Sequence, residues 1–192
     1  MTRQIDGVDY GPLTTLLGRW IGTRGIDVAP DADGEPDRTK FIDELEFIPS
    51  GPAENAEEQE LVSVRYHHVV RKEENGKIFH DQIGHWIYEP DTGLIMLSLT
   101  IPRAVALLAG GQLVESDSGW VAAVNASAGE SDFGIVQSPF MLEKAKTRAF
   151  EMTLTVGDEV LSYEQTTYLH IYGVDFDHVD KSSLRKVSYD LD

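Results

Sequence analysis

Hydrophobic and polar residues alternate with a period of two along much of this chain. Val62, Val64, Tyr66, His68 and Val70 fall on one side of an extended run, and Ser63, Arg65 and His67 on the other. Phe150, Met152, Leu154 and Val156 likewise oppose Glu151, Thr153 and Thr155. Successive side chains of a strand point to opposite faces, so the pattern predicts strands with one dry and one wet face. Strands are expected over residues 19–28, 38–48 (Phe41, Leu45 and Phe47 sharing a face), 61–72, 77–88, 94–101, 104–109, 112–115, 120–127, 144–156, 159–172 and 178–188, with a short one at 133–137.

Turn chemistry punctuates these runs. Asn75-Gly76, Pro90-Asp91-Thr92-Gly93, Gly110-Gly111 and Gly157-Asp158 supply residues that accept the positive φ angles of tight hairpins. Strands joined this way are antiparallel sequence neighbours, and a long meander closes into a barrel or exposes its edges. The expected fold is therefore all-β, a roughly ten-stranded antiparallel up-and-down barrel in a single domain over residues 1–192. A barrel of about eight or more strands can hold a small ligand; a β-sandwich satisfies the same alternation. Pro12 and Gly18 bracket Leu13–Leu17 as a short helix. Residues 1–9 are expected as a loose arm, and 29–37 and 49–58 as polar loops.

Composition narrows the function. The 192 residues carry 16 Lys and Arg against 33 Asp and Glu, a net charge of −17. That balance repels nucleic acid and anionic membranes, so neither is expected as a partner. The acids gather near Asp27–Asp37, Glu54–Glu60 and Asp175–Asp192 and read as solvated surface. No apolar run approaches the roughly 20 residues of a membrane span, the N-terminus has no signal-peptide core, and there is no cysteine for disulfides or thiolate metal sites. A cytoplasmic protein is expected, with the oligomeric state open and a homodimer among the states allowed.

The chemistry of the chain rests on six histidines, at 67, 68, 80, 85, 170 and 178. His67 and His68 are adjacent in a strand and point to opposite faces, so they cannot chelate jointly; His80 and His85 also oppose each other. His178 and Asp180 are two apart and share a face, and a carboxylate can orient a ligating imidazole. No His-Glu-x-x-His run, Gly-x-Ser-x-Gly elbow or phosphate-binding Gly-Lys loop is present.

Gly18-Arg19-Trp20-Ile21-Gly22-Thr23-Arg24-Gly25 reads Gly-x-Trp-x-Gly-x-x-Gly. A Gly-x-Trp opening the first strand after a short helix resembles the lipocalin and fatty-acid-binding superfamily, in which the tryptophan plugs one barrel end and nearby glycines let the strand bend. Three further segments, Gly76–Trp86, Gly93–Ser98 and Tyr163–Thr167 followed by Phe176-Asp177-His178 and Leu184-Arg185, resemble nitrobindin-like haem-binding barrels in the same order. That resemblance implies ferric haem b at one barrel mouth. It implies His178 as the axial iron ligand, and Phe79 and His80 against the opposite haem face. The activities it implies are nitric oxide binding and isomerisation of peroxynitrite to nitrate. Met152, with Phe150 and Leu154, is a candidate for the apolar wall of the cofactor site, and a plain core position suits it as well.

Two other classes of function suit a barrel. One is a carrier for a hydrophobic small molecule such as a fatty acid, held by burial worth about 0.8 kcal/mol per CH₂, with Arg65, Arg103 or Arg148 facing its carboxylate. The other is an interaction module that has lost its ligand.

Overall fold

Gly76 and Gly93 adopt φ of +69° and +74°, and each donates its backbone N–H back across a turn, to the carbonyls of Lys72 and Glu89. These are the hairpins expected at Asn75-Gly76 and Pro90–Gly93, and Gly157-Asp158 closes a third. The computed structural model describes residues 4–187. In it the strands are β1 (Gln4–Ile5), β2 (Val8–Asp9), β3 (Gly18–Pro30), β4 (Pro36–Asn55), β5 (Gln59–Lys72), β6 (Ile78–Glu89), β7 (Leu94–Ile101), β8 (Val105–Ser116), β9 (Gly119–Ser127), β10 (Ile135–Gln137), β11 (Ala145–Val156), β12 (Val160–Ile171) and β13 (Val174–Val187).

Antiparallel pairing runs from β8 through β7, β6, β5, β4, β3, β13, β12 and β11 to β9, and β9 pairs with β8 to close the ring. The result is a closed ten-stranded barrel with β10 as an extra strand on β8. Closure leaves almost no free sheet edge, which is how a long meander avoids pairing with other chains. The only helical pieces among the described residues are a 3₁₀ helix, Gly11–Thr15, where a short N-terminal helix was expected, and α1 (Pro139–Lys144), which Ser138 caps through Met141. Among the described residues, no helix is long and apolar enough to cross a membrane.

Four expectations are corrected. Gly110-Gly111 is not a turn; it lies inside the continuous strand β8. A Cβ on Gly110 would meet the Phe133 ring at 2.2 Å, and one on Gly111 the Ala123 carbonyl at 1.8 Å, so close packing is what requires glycine there. Residues 49–58 are not wholly a loop, since β4 runs on to Asn55 in register with β5 past a bulge at Pro49–Gly51, where Gly51 has φ +84°. Of the expected arm, residues 4–9 form the β1–β2 hairpin. Lys144, expected to open a strand, instead ends α1, and the strand begins at Ala145.

The inward faces build one core, and its closed end is made by tryptophan. Trp20 and Trp120 are fully or nearly buried. The Trp20 indole donates to the Leu16 carbonyl at 2.6 Å, and Trp120 donates to the Pro12 carbonyl at 3.0 Å and to Thr15 Oγ1 at 2.8 Å. The 3₁₀ helix is thereby held across one barrel end as a plug, with its own Leu13 and the following Leu16 fully buried. Gly22 and Gly25 mark a bulge in β3 against β4, the bend anticipated for the glycines that follow Trp20.

Candidate functional site

The alternation of β13 turns His178, Asp180, Ser182 and Leu184 to one side, into the barrel. On one flank Asp180 stands directly opposite Asp27 of β3, and on the other opposite Gln165 of β12. This inward row lies at the end of the barrel away from the tryptophan plug. There His178 and Asp180 line a cavity of about 170 Å³ whose wall also includes His68, Phe79, His80, Tyr163 and Arg103.

His178 is the centre of the row. Its Nε2 lies 2.6 Å from Asp27 Oδ1 and 3.6 Å from Asp180 Oδ2, while Gln165 donates to Asp180 Oδ2 at 2.9 Å. Burial pushes the imidazole pKa down, but the hydrogen bonds and charges of Asp180 and Asp27 outweigh it and raise the value to about 10. Burial also works on the acids. It pushes the Asp27 carboxyl up, against the pull of the His178 hydrogen bond and with a further push from Asp180. For Asp180 it is outweighed by His178, which holds that carboxyl at about 2. At neutral pH the group is an imidazolium between two acids, with Asp180 the firmer carboxylate.

A second polar group lies deeper. Asp43 is fully buried and accepts from Tyr163 Oη at 3.0 Å and Ser182 Oγ at 2.9 Å. Gly22 makes the room: a Cβ there would stand 2.1 Å from Asp43 Oδ1. His68 Nε2 is 3.4 Å from Asp43 Oδ2, yet has no hydrogen-bond partner.

Across the cavity, His80 Nε2 meets Gln82 Oε1 at 3.1 Å, and Gln82 in turn donates to Tyr66 Oη. Burial first, then the neighbouring His68, lowers the His80 pKa, so this imidazole is neutral at pH 7. Phe79 and His80 are consecutive, yet both line the cavity. A bulge explains it: Val70 pairs with His80 and Arg71 with Ile78, which leaves Phe79 as the extra residue and re-aims its ring toward Phe41, 6.2 Å away.

The structure thus brings together His178, His80 and Phe79 of the residues singled out in the sequence. Met152 lies outside the cavity, half-buried against the core and beside Glu151 and Thr153; Met141 of α1 lines the cavity instead. Of the arginines, Arg103 is at the mouth, Arg65 lines a depression with Ile83 and His85, and Arg148 pairs with Asp175 at 3.1 Å. Sequence reading missed Asp27 and Asp43. Asp27 was counted among solvated loop acids but is 5 % exposed. Asp43 carried a signal, since it interrupts the apolar alternation Phe41, Leu45, Phe47.

The chemistry of this set suits haem in kind. It offers one imidazole in the wall, a neutral imidazole opposite, an apolar rim from Phe79, Ile101, Met141 and Leu169, and a guanidinium at the mouth for an anionic side group. One feature works against ligation: His178 Nε2 is already committed to Asp27, so it must lose its proton and leave that partner before it can bind iron.

Comparison with known proteins places the fold. A family model described as a THAP4-like, heme-binding beta-barrel domain matches residues 9–186. Among solved structures, the crystal structure of Rv2717c from M. tuberculosis is similar, with a TM-score of 0.69 and 19% sequence identity over 92% of this chain and 95% of that one. No curated protein matches.

Proposed function

Since this chain belongs to the THAP4-like haem-binding β-barrel family, we propose that it holds ferric haem b at its open mouth, with His178 as the axial ligand. The observation that carries the reading is that His178 shares one cavity with His80 and Phe79, which come from a different part of the sheet. The cavity, about 170 Å³, is smaller than the roughly 300–1,000 Å³ of most ligand pockets, so a large planar ligand seats at the mouth with part of its edge outside.

The residues divide the work. His178 would supply the imidazole, and Asp27, whose carboxyl burial already pushes up, would receive the proton that Nε2 gives up. The uncharged His80, hydrogen-bonded to Gln82, would face the haem from the other side of the cavity with Phe79 and keep that side largely dry. Arg103 pairs with an anionic side group at the rim. Bound haem supplies an iron centre that accepts nitric oxide or peroxynitrite, and no acid–base pair is needed for isomerisation to nitrate.

A fatty-acid carrier is the weaker reading. Asp27, Asp43 and Asp180 line or underlie the cavity and repel a carboxylate head, and so many buried polar groups suit a long alkyl chain poorly.

Hemin titration tests the proposal. The wild-type protein is expected to give a strong Soret band at one hemin per chain. His178→Ala should abolish it, and His80→Ala should keep the band but shift it. A band of unchanged position and intensity in His178→Ala would remove His178 from the iron; no band in the wild type, with uptake of a fluorescent fatty acid, would favour the carrier.

A further inference from the structure

Three ligand atoms, one each from Asp27, His178 and Asp180, lie within 4.8 Å of one another. The individual separations of 2.6 and 3.6 Å from His178 Nε2 bracket what one small cation needs. Ligands about 2.0–2.2 Å from a metal stand roughly 3–3.5 Å apart in octahedral or tetrahedral geometry. The three side chains come from the adjacent strands β3 and β13, and Asp27 and Asp180 are directly paired in register, so the backbone presets the site.

Two further observations point to a cation. Asp27 and Asp180, with side chains only 8% and 16% exposed, each turn a carboxylate oxygen toward the same His178 Nε2. Independently, His68 lines the same cavity with its side chain only 8% exposed, and its Nε2 has no hydrogen-bond partner. Asp43 Oδ2 stands 3.4 Å from that nitrogen with no hydrogen bond between them, which leaves the nitrogen able to take a water.

We infer that Asp27, His178 and Asp180 form a divalent metal site inside the barrel, selective for first-row transition ions. One nitrogen and two carboxylate oxygens favour Zn²⁺, Co²⁺, Fe²⁺ or Mn²⁺ over Mg²⁺ and Ca²⁺, which prefer all-oxygen shells. The metal takes the place of the proton between His178 and Asp27, and Gln165 orients Asp180 from behind through its 2.9 Å hydrogen bond. Because both use His178, metal and haem exclude each other.

The test is titration of the haem-free protein with Zn²⁺ by calorimetry and with Co²⁺ by visible absorption. One ion per chain at micromolar affinity or better is expected, with Co²⁺ ligand-field bands. Asp27→Asn and Asp180→Asn should each weaken binding at least about tenfold, and each variant's far-UV circular dichroism reports whether it has folded. Hemin separates this site from the haem reading: Asp27→Asn should lose Zn²⁺ affinity yet take up hemin at least as well, because His178 is freed. Wild-type protein that binds neither ion below about 100 μM, or binding that both Asn variants leave unchanged, overturns the metal site whatever the Soret band shows. Absence of the Soret band alone bears only on haem.

Discussion

His178 donates from Nε2 to Asp27 Oδ1 across 2.6 Å, joining residues 151 apart in the sequence. This contact ties the last strand of the barrel to the first, and it places a charged pair where the ligand is expected. It sets up opposing demands, because the bond that joins these two strands competes with any metal for the same nitrogen.

The first consequence is a pH window for stability. The His178 pKa is raised to about 10 in the folded state, so its contribution is fully present below about 6.5, its unfolded value, and is lost as pH rises through about 10. Asp180 is lowered to about 2, so its contribution is present above about 3.8 and lost as pH falls through about 2. Chemical denaturation of wild type and His178→Gln should show a gap that is constant near pH 6 and closes above about pH 10. A gap that widens with pH refutes the assignment.

Hemin affinity should rise with pH for the same reason. A ligating imidazole is neutral, so each molecule bound below pH 10 expels the His178 proton. The apparent affinity is expected to climb by up to about tenfold per pH unit between pH 7 and 9, and to flatten in the Asp27→Asn, Asp180→Asn double variant. A flat wild-type profile would show that no proton leaves.

Gly22→Ala should be costly. Its Cβ would stand 2.1 Å from Asp43 Oδ1 and 2.6 Å from Ser182 Oγ, and both groups are fixed by hydrogen bonds in a buried layer. Overpacking of this kind costs about 1–3 kcal/mol, read as a lower urea midpoint. Gly129→Ala meets no atom within 4 Å but sits at φ +94°, so its backbone strain alone should cost less.

Trp120→Phe removes two indole hydrogen bonds at the plugged end. A loss of about 1–3 kcal/mol is expected, since the Pro12 carbonyl and the Thr15 hydroxyl lose a buried donor. Hemin and Zn²⁺ titrations should be unchanged, because the cavity is at the other end.

Much of this architecture is legible in residue order. The alternation at Val62–Val70, the glycines of the tight turns and the Gly-x-Trp segment led to a closed barrel, and the resemblance of the last strand drew attention to His178. What escaped has physical causes. Gly110-Gly111 mimics a turn because glycine serves both positive φ and close approach, and only the Phe133 ring over it tells them apart. Phe79 points inward through a one-residue bulge, which strict alternation cannot foresee. Asp27 and Asp43 were obscured by an acidic composition in which most carboxylates are solvated, and their burial follows from barrel closure over distant strands.

The plug of Gly11–Thr15 has one more consequence. Sealed beneath by two indoles, the tube becomes a cup. The cavity then opens at one rim alone, lined by Arg103 and Met141, so substitutions there change the opening while the sealed base keeps the barrel standing.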